Sequence, residues 1–381
     1  MSRRARRPEE TEAAPRGRVS RAGRALKFAL LAILVLGLTG GAMLSYARLR
    51  LRANSQEIQG LVPQRRHEPM NVLVVGSDSR EGLSESDLER FDPTGGDRTS
   101  GRRADTIVLV HLDERREQVV LVHFPRDLRV RNSSGGFSKI NGVYQSGPEA
   151  MVRAVESFSG LPIHHFVEVD FNGFQKIVDA LGGVRVFFER PIKDRDSGLD
   201  VPAGCVELRG EQALAFVRLR KIDDDFGRIA RQQLFIRLVL EKFTSATTLL
   251  NPVKTARLVA LVADNVITDA RLTASDIKTL ALRLRTFDPE RVDMRVVPSA
   301  PKRIKGVSYV IADQKKADEL FAAIRDRQPL PDHGRSRAAP TGPGGVAAMS
   351  VLAASAEPLP TLVAQPLNAP ASKSPLVHRC P

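Results

Sequence analysis

From about residue 70 to residue 327 the apolar positions of the chain alternate between two rhythms. Short β-branched runs, NVLVVG (71–76), TIVLVH (106–111) and QVVLVH (118–123), have no polar face, as expected for strands buried on both sides. The last two are separated by LDERRE, a polar turn of hairpin length, and are expected to pair. HHFVEVD (164–170) and VRVFF (184–188) read as further strands, with two more at 292–297 and 307–311. Between them the period lengthens. GPEAMVRAVESFSG sets Met151, Val155 and Phe158 at helical spacing, and NGFQKIVDALGG is a short helix closed by glycines that accept the left-handed conformation. The longest helix is expected over 227–246 with Ile229, Ile236 and Phe243 on one seam; others fall at 250–263, 274–287 and 313–325. Strands interleaved with helices predict one layered α/β domain over 70–327.

The rhythm stops at both ends. Residues 28–46, FALLAILVLGLTGGAMLSY, are uncharged and span about 28 Å as a helix, close to a bilayer core. Nine basic residues precede the run, and Arg48, Arg50 and Arg52 follow it. That bias predicts a single-pass protein of the cell membrane, with segment 1–27 cytoplasmic and the domain extracytoplasmic. Ser45 and Ala47 also suit a signal-peptide cleavage site, but the run is long for one, which favours an uncleaved anchor. Residues 47–69 read as a polar stalk. Residues 328–381, rich in Pro, Ala, Gly and Ser without periodicity, read as a disordered tail.

A net charge of +14 calls for anionic partners without choosing among nucleic acid, lipid and phosphorylated substrate. The two cysteines, Cys205 and Cys380, rule against a zinc site. A bridge between them would suit an oxidising compartment, but Cys380 ends a low-complexity tail, and the expectation is that it does not form. His111 and His123 are expected to face one another on the 106–123 hairpin in a structural role. The hydrophilic loop 80–101 lies between two buried strands and is either a lid or disordered.

Phosphate-loop, nucleophile-elbow and HExxH signatures are missing. What recurs is arginine beside aspartate at strand ends: Asp78 and Arg80 in GSDSR, Arg103 and Asp105 in RAD, Arg126 and Asp127 in PRD. In VRLRKIDDDFGRIARQQ (217–233), Arg218 and Arg220 alternate with apolar residues as in an extended strand. Arg228, Arg231, Gln232 and Phe235 then fall on one helical face. Forked guanidiniums match phosphate oxygens, and two carboxylates among them suit a pyrophosphate held with a divalent cation.

In order along the chain, NVLVVGSDSR, RADT, FPRD, KINGVY, VDFNGFQKIVDALGGV, GEQALAFVRLR and DFGRIARQQ resemble the LytR–CpsA–Psr family, strongly over 70–246 and more loosely to 327. The resemblance implies a three-layer α-β-α sandwich with a central mixed sheet, preceded by one transmembrane helix. It implies a phosphotransferase that moves a phosphoglycan from a polyprenyl-pyrophosphate carrier to peptidoglycan, the glycan being teichoic acid, capsule or arabinogalactan. Asp78 and Asp105 would hold Mg²⁺ or Mn²⁺. Arg103, Arg126, Arg218, Arg220, Arg228 and Gln232 would bind pyrophosphate, with Arg80 and Asp225 also on matched positions. Arg103, Asp105 and Asp225 make up the catalytic group, Asp105 or Asp225 being the base. Phe166, Phe171, Phe174, Val186, Phe188 and Phe235 are candidates for a prenyl tunnel, although core packing explains each equally well. Phe216 and His123 stand where relatives often carry Tyr and Ser. A lipid-pyrophosphate hydrolase and a non-catalytic membrane regulator are the rival readings. No nucleic acid partner is expected.

Overall fold

The computed structural model describes residues 41–42, 45–65, 68–78, 103–132, 134–219, 225–244, 252–273, 276, 292–333 and 377–380, with helix backbone alone at 225–226, 243–244 and 252–257. The apolar run 28–46 and the loop 80–101 lie almost wholly outside them. Among the described residues no helix is long and apolar enough to cross a membrane.

Seven strands form a mixed sheet in the order β1-β12-β7-β2-β3-β4-β13. They are β1 (Ser55–Gln56), β2 (Met70–Ser77), β3 (Ala104–Asp113), β4 (Gln118–Phe124), β7 (His165–Val169), β12 (Ile267–Asp269) and β13 (Asp293–Val296). The expected β3–β4 hairpin forms, in the register Ile107↔Phe124 to Asp113↔Gln118. β2 lies antiparallel to β3 and parallel to β7. One face is covered by α2 (Ile140–Val143), α3 (Pro148–Ser159) and α8 (Gln314–Arg325), whose apolar residues join Leu73, Ile107, Leu109, Val122 and Phe166 in the largest core cluster. On the other face lie α4 (Phe171–Ala180), α6 (Asp225–Thr244) and α7 (Pro252–Asn265). The result is a three-layer α-β-α sandwich. Beyond this second helical layer a small sheet packs against α4, α6 and α5 (Gly210–Arg218). It comprises β8 (Val184–Phe188), β11 (Gly204–Leu208) and β16 (Val377–Arg379), in the order β11-β8-β16. The other described strands form two-stranded ribbons: β5 (Arg129–Arg131) with β6 (Phe137–Lys139), β9 (Ile192–Asp194) with β10 (Leu199–Val201), and β14 (Ser299–Ile304) with β15 (Val307–Ala312).

Several expectations are corrected. The supposed stalk belongs to the domain: helix α1 (45–53) buries Ala47 and Leu51 against α7, β1 joins the main sheet, and Ile58 and Leu61 enter the core. Its apolar residues, spaced among arginines, were too few to reveal a buried face. Residues 334–376 of the expected tail lie outside the described residues, but its end is not disordered. Val377–Arg379 pair with β8, Val377 is buried, and the bridge Cys205–Cys380 does form, with Cα atoms 5.7 Å apart. Sequence distance concealed this, since the two cysteines are 175 residues apart. Finally, His111 pairs with Val120 and His123 with Val108, so the two histidines point to opposite faces.

Candidate active site

Because β2 and β7 are parallel and β3 opposes both β2 and β4, the ends of β2, β4 and β7 and the start of β3 share one edge of the sheet. The register there slips: Gly76 pairs with Thr106 but Ser77 pairs with Ala104, leaving Asp105 as the extra residue of a bulge. A bulge re-aims the side chain it carries. Asp78, just past β2, donates its amide to the Arg103 carbonyl at 3.0 Å, and its Oδ1 accepts the Arg103 amide at 2.8 Å. Arg126, in the turn after β4, donates from Nη1 to Asp105 Oδ1 at 3.1 Å. Asp78, Arg103, Asp105 and Arg126 are thus assembled by three strand ends. The pairing expected within PRD does not form; Asp127 takes Lys139 Nζ at 3.1 Å instead.

The helical half reaches the same edge through β7. Asp170 caps α4, its Oδ1 accepting from the Gly173 amide at 2.6 Å, and Phe171 begins the helix. The Arg218 guanidinium lies over the Phe171 ring, 4.9 Å from its centroid. Arg218 is the last residue of α5 and not part of a strand, which corrects the extended reading of VRLR. Helix α6 holds that end. Gln232 Nε2 donates to the Val217 carbonyl at 3.5 Å, and the buried Arg231 guanidinium donates to the Leu219 carbonyl. Arg228 is buried on the same helix. The backbone of Asp225 opens α6, while its side chain, Arg80 and Arg220 lie outside the described residues.

Of the proposed tunnel residues, Phe174, Val186, Phe188 and Phe235 belong to one apolar cluster between the small sheet and the helices, with Phe174 and Phe235 5.4 Å apart. Phe171 stacks with Arg218. Phe166 belongs elsewhere: it packs in the core on the opposite face of the main sheet, 6.3 Å from Tyr144. Val377, from the C-terminal strand, joins the apolar cluster, which sequence order gave no means of seeing.

Two supporting groups were also missed. Gln233 lies 3.3 Å from His123 Nδ1 and donates at 3.3 Å to the Arg295 carbonyl, fastening α6 to the sheet. Burial pushes the His123 imidazole down to about 4, so it stays neutral. Tyr144 donates to Glu168 at 2.5 Å beneath the sheet. The His123–Gln233 pairing had one legible signal, a histidine in an otherwise apolar strand.

Among the described residues no group of three or more His, Cys, Asp or Glu gathers as a metal site. The donor set at the edge, two carboxylates among guanidiniums, does fit a cation bound through one or two carboxylates plus phosphate oxygens, as Mg²⁺ is.

A sequence profile of the LytR_cpsA_psr family matches residues 38–326. The chain is 36% identical over 258 residues to a probable cell wall biosynthesis protein, LcpB, of Corynebacterium glutamicum, covering 67% of this chain and 61% of that protein. It is 30% identical over 267 residues to the polyisoprenyl-teichoic acid–peptidoglycan teichoic acid transferase TagV of Bacillus subtilis, covering 65% and 63%. It therefore spans about three-fifths of these curated relatives. The crystal structure of B. subtilis TagV superposes with a TM-score of 0.57 at 24% identity, over 70% of this chain and 100% of that one. TagT bound to LI-WTA superposes at 0.54 and 21% identity, over 72% and 97%. Fold, motif order and profile agree: the chain belongs to the LytR–CpsA–Psr family.

Proposed function

We propose that this chain is a membrane-anchored, extracytoplasmic phosphotransferase that moves a phosphoglycan from a polyprenyl-pyrophosphate carrier to peptidoglycan. The observation that carries the reading is the bulged edge, where Asp105 is turned out beside Arg126 and Asp78 is locked to Arg103. Phosphoryl transfer asks a protein mainly for positioning and charge neutralisation, which arginines of the sheet edge and of the neighbouring helical layer would supply. The acceptor hydroxyl attacks the glycan-bearing phosphorus; a P–O bond forms to the acceptor, and the P–O bond to polyprenyl phosphate breaks. Asp105 or Asp225 takes the hydroxyl proton, and Arg126, Arg218 and Arg228 hold the phosphate charge. Asp78 and Asp105 would hold Mg²⁺ or Mn²⁺, which when bound offsets charge on the phosphate oxygens. The apolar cluster around Phe174, Val186, Phe188 and Phe235 would take the prenyl chain; Phe174 is its partly exposed member and the other three are buried. A disulfide supports an oxidising, extracytoplasmic location. The single pass rests on the run 28–46.

The test supplies the full-length chain in detergent with a polyprenyl-pyrophosphate glycan, Mg²⁺ and nascent peptidoglycan. Glycan should appear on peptidoglycan. Arg126→Ala and Asp105→Ala should each lower kcat by about 10²–10³-fold, the scale of one removed electrostatic contact. Variants as fast as the parent would refute the site, and release of glycan phosphate without transfer would establish a hydrolase.

A further inference from the structure

Three arginines follow the apolar run, on the side that the charge bias leaves outside, where the positive-inside pattern gives them no purpose. Arg50 has one within the fold: it pairs with Asp264 at 2.5 Å and ties α1 to α7. Arg48 and Arg52 do not. They stand at i and i+4 on α1, both are exposed, and neither forms an ion pair among the described residues.

Both line a cavity of about 190 Å³ whose remaining walls are Leu51, Ser55, Ala270, Leu272 and Thr273. A single water needs roughly 15 Å³ on this scale, so the space admits a group of many atoms. Its polar character comes from the arginines. The Ser55 hydroxyl already donates to the Arg52 carbonyl, and the Thr273 hydroxyl to Asp276. Leu51 and Leu272 are buried and give an apolar floor. Two cations above an apolar floor match an amphiphile with a phosphate head.

Position favours one source. Arg48 lies two residues beyond residue 46, about 3 Å along a helix and inside a headgroup layer roughly 5–7 Å deep; Arg52, at about 9 Å, lies just past that layer, within reach of it for a long side chain. The same helix leaves Leu49 67% and Tyr46 46% exposed, the Tyr46 hydroxyl donating to Asp264 while its ring, beside Leu49, presents apolar surface suited to a bilayer interface.

We propose that the cavity between α1 and the turn after β12 binds the phosphate of an anionic phospholipid headgroup through Arg48 and Arg52. This rests on the membrane-anchor reading of residues 28–46. The bound headgroup would fix how the domain sits on the membrane from which its substrate comes.

The test uses the full-length chain in neutral-detergent micelles doped with dioleoylphosphatidylglycerol or dioleoylphosphatidylcholine, with bound lipid counted by native mass spectrometry. The parent should retain one phosphatidylglycerol in preference to phosphatidylcholine. An Arg48→Gln, Arg52→Gln double variant should bind it roughly thirtyfold more weakly, at about fivefold per arginine near a membrane surface. Equal binding by variant and parent, or no preference between the lipids, would overturn the site. Displacement of the lipid by millimolar inorganic phosphate would reassign it to a free anion and overturn the headgroup. Alkaline carbonate extraction of membranes tests the anchor separately. Release of the chain refutes the anchor, whereas a retained chain without lipid selectivity refutes this site alone.

Discussion

At the scale of single residues, the site and the core use polar groups differently. The Asp105–Arg126 pair is part-exposed, with side chains 30% and 21% accessible, and contributes little to stability, so its loss should be read in activity. The buried histidines are the reverse. Burial pushes His111 down to about 4, Arg327 and His164 adding to the effect and Asp113 opposing it; burial alone does the same to His123. An unfolded imidazole takes up its proton near 6.5, so between pH 6.5 and 4 the unfolded chain binds protons that the native state refuses. The contribution of these two histidines should therefore be level above pH 6.5 and fall as pH drops towards 4, on the order of 3 kcal/mol per histidine. Asp269 adds nothing in this window. Burial would raise its pKa, but hydrogen bonds from His165 and from the Phe166 and Arg271 amides together hold it below 3.8, so its contribution is lost only at lower pH. Urea titrations at stepped pH should show a shallower acid slope for His123→Gln than for the parent. An unchanged slope would remove His123 from the account. The histidines were visible as residues, whereas their opposite orientations follow from strand register.

At the scale of elements, α4 couples the apolar cluster to the arginine–aspartate edge because its first turn carries Phe171 under Arg218. Its seat depends on Gly173. A Cβ there would stand 2.2 Å from the Asn265 carbonyl oxygen at the end of α7. In an exposed helix Gly→Ala gains about 1 kcal/mol from propensity. Here the obstacle is rigid backbone, so overlap decides, and Gly173→Ala should destabilise by about 1–3 kcal/mol and lower transfer as α4 shifts. Gly142 in α2, with nothing within 4 Å of an added Cβ, is the matched control and should show no loss of stability. Differential scanning calorimetry of the two variants makes the comparison. The helix itself was readable from NGFQKIVDALGG, but the glycine's purpose was not, since the atom it avoids is 92 residues away.

At the scale of the whole molecule, the C-terminus closes the structure. Val377 is buried with Val186 and Phe188, His378 Nε2 lies 2.6 Å from Glu189, and Arg379 pairs with Glu241 of α6 at 3.4 Å. The Cys205–Cys380 bridge closes a loop of 175 residues, which restricts the unfolded chain strongly. Cys380→Ser, or reduction of the parent, should cost about 2–5 kcal/mol and lower Tm by several degrees in thermal unfolding. A Tm that is indifferent to reductant would count against the bridge. The same contacts predict that truncation near residue 330, natural if the tail were inert, removes a strand from the apolar cluster around Val186 and Phe188.

By itself the sequence determined the strand and helix periods of the domain, the apolar run at 28–46 and the residue types of the arginine–aspartate edge. Those depend on local spacing and on motif order. The tertiary structure decided the partners: Asp105 with Arg126, Asp127 with Lys139, Phe166 in the opposite core, α1 inside the domain and Cys380 beside Cys205. Each joins segments through sheet register or layer packing. Such contacts bring together residues that no local period relates.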